Sequence, residues 1–331
     1  MNTRIKYFFL NIVLSLSVTV LFLLLAEGLT MLLWDYKPVG SHVSVVINDG
    51  NRRVVHEGVE YVTNSLGLRE RELDKRPKAD KTILVLGDSF IWGDGIPVES
   101  LVTTKLEKKL NEMGKNIEVV NGGGGGGNAQ SEYERLVKLT PIYKPSEVMV
   151  FFFTNDILED VPIGKESDKR VATSWRQNIK EFLRSRSHFF AFLYYLYKDR
   201  IVEIMGVPKF LLPSDYFQLD DTKPGWKGFK EHVVKMRDFC KKNNIAFSYV
   251  IIPTLTCLNE KYPYREMHEA LKKFFKDSEI EYFDLFPVFS PYRPSKLWVN
   301  LENSHWNDLA TTLATDAIIK WRYSNRNDRN I

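Results

Sequence analysis

The chain has 331 residues, 44% hydrophobic and 27% charged, an ordinary globular balance with enough apolar material for a sizeable core. Its formal charge of +4 is small for this length, and no Lys/Arg block with interleaved aromatics appears, so no nucleic-acid partner is expected. The two cysteines, Cys240 and Cys257, are too few for a disulfide framework or a metal quartet.

In chain order, Arg4 and Lys6 precede an uncharged run of 20 residues from Tyr7 to Ala26. That length spans a bilayer as a helix, and positive charge ahead of it orients the N-terminus to the cytoplasm. A cleaved signal peptide is the rival reading. Its apolar core would be shorter, and Ala26-Glu27-Gly28 is a poor cleavage site. Residues 1–36 are therefore expected to be an uncleaved single-pass anchor, in the membrane through residues 7–33. The remainder is expected to be extracytoplasmic, in the periplasm or at the cell surface. Residues 37–80 read as a polar lead-in with short strands at Val43–Ile47 and Arg53–His56.

From residue 81 apolar runs alternate with helical patterns. Strands are predicted at 82–86, 117–120, 148–153, 246–252 and 280–285, and helices around 98–113, 129–139, 226–243, 264–276 and 307–322. Strands alternating with helices predict an α/β three-layer sandwich, a central parallel sheet covered on both faces, over residues 81–325. Such sheets bind ligands outside the carboxyl ends of their strands. Residues 157–225 interrupt the pattern as an insertion, with a basic helical segment, Trp175–Arg186, and an aromatic run, His188–Tyr197. The run is too short to cross a membrane. A buried packing helix is the plain expectation; a lid, an apolar wall for the substrate or a patch on the membrane surface are the alternatives. Cys240 and Cys257 should lie at opposite ends of one strand, about 20 Å apart, with no bridge between them.

The stretch Thr82–Gly95, TILVLGDSFIWGDG, carries the first chemical signal: a buried strand stops at Gly87 and hands over Asp88-Ser89. Both residues also cap helices well, so a bare cap is the bland alternative. Acyl transfer at a serine needs a base, a partner that orients the base, and donors for the oxyanion. His305, in the loop before the last helix, stands where the base is needed. Of the other histidines, His232 and His268 fall inside predicted helices, His42 and His56 in the lead-in, and His188 at the start of the aromatic run. Glu302, three residues before His305, is the expected orienter, and Asn303 is the other candidate. Asn121 is followed by six glycines, Gly122–Gly127, whose backbone N–H groups can approach a ligand without steric cost. The tract also matches G-x-G-x-x-G, but no acidic residue ends the next strand about 20 residues on, which argues against a dinucleotide site. Asn155, at the end of strand 148–153, offers a side-chain amide.

These residues, taken in order, resemble the GDSL-type or SGNH hydrolases. Gly87-Asp88-Ser89 resembles the first sequence block, with Ser89 the nucleophile; Gly123 matches the second-block glycine; Thr154-Asn155-Asp156 resembles the third block; His305 matches the fifth-block base. The resemblance covers about Asn64 to Trp321 and is similar to membrane-anchored bacterial members. It departs where Glu302 and Asn303 replace the usual aspartate and where Thr154 replaces glycine. It implies the flavodoxin-like SGNH fold, a serine esterase with catalytic Ser89, His305 and Glu302, and an oxyanion hole of Ser89, Gly123 and Asn155. It implies no metal and no cofactor. Acylated envelope polysaccharide or lipid is the implied substrate. An O-acyltransferase using the same residues, or an envelope-binding protein that kept the fold, are the alternatives.

Overall fold

The computed structural model describes residues 3–34, 45, 47, 49–157, 175–206 and 218–324. They form two compact units. One gathers the described residues of 1–42 and 169–201, the other those of 43–168 and 202–331.

The first unit is helical. Helix α1 (Thr3–Leu33) holds the apolar run, and residues Arg4–Leu33 form a helix long and apolar enough to cross a membrane. The insertion contributes α5 (Trp175–Arg186) and α6 (His188–Leu196), the latter followed by a turn of π-helix to Ile201. The aromatic run is thus a helix. Within this unit Ala191 and Tyr195 are buried while Leu193 and Leu196 are exposed.

The second unit opens with a hairpin, β1 (Arg53–His56) and β2 (Val59–Val62). Glu57 and Gly58 both take left-handed φ, 49° and 80°, which gives a two-residue hairpin turn matched to strand twist. The strand expected at Val43–Ile47 falls largely outside the described residues. Then come β3 (Lys81–Leu86), the short α2 (Ser89–Trp92), α3 (Val102–Glu112), β4 (Ile117–Asn121), α4 (Ala129–Tyr143) and β5 (Glu147–Phe152). After the insertion follow α7 (Val202–Met205), α8 (Pro224–Lys242), β6 (Ala246–Ile251), α9 (Arg265–Asp277), β7 (Glu281–Asp284), α10 (Phe286–Phe289) and α11 (Asp308–Ile318). Cys240 in α8 and Cys257 beyond β6 are both buried and are not joined by a disulfide.

Strands β3 to β7 make one parallel sheet in the order β4-β3-β5-β6-β7. Alternate side chains serve alternate layers. Leu84, Leu86, Val148 and Val150 pack with Leu136 of α4, Phe229 and Val233 of α8, and Leu271 of α9. Ile83, Val85, Met149 and Phe151 pack with Leu106 of α3 and Ala310 and Ala314 of α11. Both faces are covered, which is why these strands read as unbroken apolar runs. The chain leaves β3 toward one sheet edge and β5 toward the other. The crevice outside the carboxyl ends of β3 and β5 is the topological switch point, where such sheets bind ligands.

The lead-in, expected as a linker, is built into this unit. The Arg69 guanidinium is buried and donates to the carbonyls of Gly93 (2.6 Å) and Ile96 (2.7 Å). Arg76 pairs with the buried Glu118 of β4 at 2.7 Å. These hydrogen bonds offset the cost of desolvating the charges and tie Arg69 to the end of α2 and Arg76 to the sheet.

Candidate active site

Ser89 is the first residue of α2, directly beyond β3. Asp88 performs the capping that the motif also allowed: its Oδ1 accepts from Phe90 N–H at 2.9 Å. The Ser89 hydroxyl is left for another partner, and its Oγ lies 2.7 Å from His305 Nε2. Gly87 is needed at the turn because a Cβ there would lie 2.5 Å from the Ile91 side chain.

His305 is held on several sides. Its carbonyl accepts from Val299 N–H at 2.9 Å, and its ring packs on Phe90 with centroids 4.8 Å apart. The next residue, Trp306, is buried and donates its indole N–H to Phe90 O. Asn307 caps α11 through Ala310 N–H and ties the loop to the carbonyls of Lys296 and Trp298. His305 Nδ1 lies 2.6 Å from Asn303 Oδ1. The same oxygen accepts from the His305 backbone N–H at 3.0 Å, which settles that the oxygen and not the NH2 of the amide faces the ring. Nδ1 therefore carries the ring proton, and Nε2 is bare and accepts from Ser89 Oγ–H.

The expected orienter, Glu302, lies in the same loop with its backbone N–H donated to Asn300 Oδ1 at 2.8 Å. Asn303 Oδ1 is at hydrogen-bond distance from Nδ1, because Asn303 stands two positions before the histidine and its amide folds back on its own turn. Asp94, which no sequence motif singled out, also stands beside the ring. Asp94 Oδ2 is 3.7 Å from Nδ1, with its side chain fully buried. Asp94 follows Gly93, whose left-handed φ of 83° ends α2 and turns the chain back beneath His305. Tyr61 OH donates to Asp94 Oδ1 at 3.4 Å and accepts from Gly95 N–H at 2.8 Å, while Arg69 stacks 4.4 Å over the Tyr61 ring. The signal in the sequence was Gly93-Asp94-Gly95, an acid between two glycines just past the nucleophile.

The glycine tract separates into positions with different work. Gly122 N–H donates to Val85 O, Gly123 N–H to Asn121 Oδ1 (2.9 Å) and Gly124 N–H to Gly87 O. The expected donor Gly123 thus already has an acceptor. It is wedged against α2, where a Cβ would lie 2.4 Å from Trp92 N. The N–H groups of Gly125, Gly126 and Gly127 make no hydrogen bond among the described residues, nor does that of Ser89. Gly126 is exposed and left-handed, φ 66°. Asn155 reaches this loop, its Nδ2 donating to Gly127 O at 2.9 Å.

Beneath the loop lies a buried charge cluster. Arg135 of α4 donates to Gly87 O at 3.2 Å, and its guanidinium fills the space where a Cβ on Gly124 or Gly127 would be. Around it stand Asp88, Glu132 and Asp156, three carboxyls to one guanidinium. Burial pushes Asp88 up to about 6 and Glu132 up to about 8, and raises Asp156 well above the usual carboxylate range. A second histidine, His268, is buried and bonds Asp284 through Nδ1 (3.0 Å) and Tyr262 OH through Nε2 (3.0 Å). Tyr262 OH also accepts from Thr254 N–H, so this pair braces the loop after β6.

The arrangement can move a proton from Ser89 to His305 at the switch point, beside free backbone donors. The chain is similar to known esterases. It is 31% identical over 90 residues to an arylesterase of Vibrio mimicus, a match covering 27% of this chain and 45% of that protein. Among solved structures it is similar to an acetyl xylan esterase, AlAXEase, at 16% identity and a TM-score of 0.45, covering 73% of this chain and 99% of the other. It is also similar to a lipase/acylhydrolase of Enterococcus faecalis at 15% identity and a TM-score of 0.42, covering 73% and 96%. No family model matches the sequence.

Proposed function

We propose that the protein is a membrane-anchored serine ester hydrolase with its α/β unit on the extracytoplasmic side. The observation that carries this reading is the relay from Ser89 Oγ through His305 to Asn303 Oδ1, 2.7 and 2.6 Å long, at the carboxyl ends of the strands. The partial match to an arylesterase supports the same chemistry. The apolar span behind Arg4 and Lys6 supports the orientation.

In this mechanism His305 Nε2 takes the Ser89 proton as Oγ attacks the ester carbonyl. The tetrahedral oxyanion is held by the N–H of Ser89, an N–H of the Gly125–Gly127 stretch, and Asn155 once its amide leaves Gly127 O. His305 then protonates the departing alcohol. A water deprotonated by the same Nε2 releases the acyl group from Ser89. Asn303 keeps the ring proton on Nδ1, and Asp94 supplies the negative charge that the imidazolium needs. Acetyl or acyl esters on an envelope polysaccharide or lipid are the substrates that such a location would present.

The test is hydrolysis of p-nitrophenyl acetate by the full chain in detergent, beside Ser89→Ala. Losing the nucleophile should cut kcat by roughly 10⁴-fold or more. Equal rates for the two proteins would sink the proposal.

A further inference from the structure

We infer that α5 and α6 form a foot lying in the membrane interface beside α1, with the headgroup and upper acyl region of an anionic bilayer as its partner. The inference rests on reading α1 as a membrane span.

The apolar run ends at Ala26, and the next residue, Glu27, holds the start of α6. Its carboxylate accepts from Ser187 Oγ (2.7 Å) and from the N–H groups of His188 (2.7 Å) and Phe189 (3.0 Å). A helix N-terminus that would otherwise expose its donors is thus pinned one residue past the uncharged run, within the last two turns of the span Arg4–Leu33. Ring contacts set the depth on either side. Phe189 meets Phe22, centroids 6.4 Å apart, which lies about 7 Å deeper along α1 at 1.5 Å per residue. Phe192 meets Trp34, 4.8 Å apart, on the aqueous side of Glu27. An interfacial helix buries its apolar face by about that depth.

The outer faces of both helices are apolar at helical spacing. On α5 these are Ile179, Phe182 and Leu183; on α6 and the turn after it, Leu193, Leu196 and Ile201. Phe182 is 61% exposed, as fully as the flank of α1 itself, where Leu14 is 60% exposed. A surface of this kind marks a buried contact, and α1 already commits its neighbourhood to lipid. Arg186 of α5 and Arg200 of the turn after α6 are exposed and add charge that anionic headgroups attract.

The test uses the full chain in vesicles of phosphatidylcholine with a minority of phosphatidylglycerol. A fluorophore is attached after Leu14→Cys, Phe182→Cys, Leu193→Cys or Val137→Cys; the native cysteines are buried. Quenchers are placed at the headgroup, shallow and mid-chain levels of the lipid. Position 14 should be quenched most at mid-chain, positions 182 and 193 most at the shallow level, and position 137 only from water. Glu27→Leu should abolish shallow quenching at 193 and leave 14 unchanged. If 14 is quenched but 182 and 193 behave like 137, the foot is overturned while the anchor stands. If 182 and 193 are shielded from lipid and water alike, protein covers them, and the foot is again overturned. If 14 is not quenched by lipid, the anchor reading fails and the foot with it.

Discussion

Proton transfer from Ser89 to His305 creates an imidazolium, and the group bonded to its Nδ1, Asn303 Oδ1, is a neutral amide. A neutral acceptor fixes tautomer and direction but supplies no opposing charge. The Asp94 carboxylate, 3.7 Å from Nδ1 and shielded from water, is placed to supply it. In the proposed mechanism the work of the orienting acid is divided between two side chains. Asp94→Asn should therefore lower kcat on p-nitrophenyl acetate by about 100-fold with KM little changed, since the lost charge matters only when the imidazolium forms. Asn303→Asp in that background should restore part of the rate, by putting a carboxylate directly on Nδ1. An Asp94→Asn protein with the wild-type kcat would show that Asp94 serves only to hold Tyr61 and Gly95.

Among the elements, the loop between β4 and α4 owes its glycines to what surrounds it more than to flexibility. Gly123 lets α2 approach, Gly124 and Gly127 make room for the Arg135 guanidinium, and Gly126 takes a left-handed turn. Gly124→Ala would put a methyl 1.6 Å from Arg135 Nη1, so the guanidinium must move and give up its hydrogen bond to Gly87 O. Gly126→Ala meets open space and costs only the left-handed backbone, roughly 1 kcal/mol. Thermal unfolding should thus show Gly124→Ala losing more than Gly126→Ala, and the reverse order would mean that the loop does not rest on Arg135. The same loop shows where the sequence was opaque. Six identical residues carry no register, and only their acceptors, Val85 O, Asn121 Oδ1 and Gly87 O, decide which N–H stays free. The sheet was legible because β3 and β5 are buried on both faces and so read as continuous apolar runs. Ser89, Asn155 and His305 were legible because each follows a strand or opens the last helix. Asp94 and the β2 half of the hairpin were not, since their roles come from Tyr61 and Arg69 packing back onto α2.

At the scale of the whole molecule, the α/β unit gathers three buried carboxyl groups around one guanidinium beyond the carboxyl ends of β3 and β5. Asp88, Glu132 and Asp156 share the guanidinium of Arg135, and burial raises all three carboxyls. A carboxyl raised in the folded state keeps its proton after the unfolded chain has released it, so the folded state binds more protons and stability falls as pH rises. For Glu132 that contribution is complete below its ordinary value of 4.5 and is lost as pH rises through about 8; for Asp88 the loss is over by about 6. Ordinary paired carboxylates act in the opposite sense. Asp308, lowered by its bonds to Lys105 and Ser100, and Asp284, lowered by His268 and Lys272 against the cost of burial, lose their contribution only as pH falls below 3.8. Between pH 5.5 and 8.5 the buried cluster therefore sets the slope. Neither oxygen of Glu132 has a hydrogen-bond partner among the described residues, so Glu132→Gln replaces the protonated acid with a neutral group of the same shape and breaks no bond. Unfolding followed by circular dichroism across that range should show the wild-type midpoint falling by several degrees, about 3 °C corresponding to roughly 1 kcal/mol for a unit of this size. The Gln variant should follow a flatter line and overtake the wild type on the alkaline side. Parallel lines would assign the proton held at neutral pH to Asp156 in place of Glu132, and Asp156→Asn would then be the variant that flattens the curve.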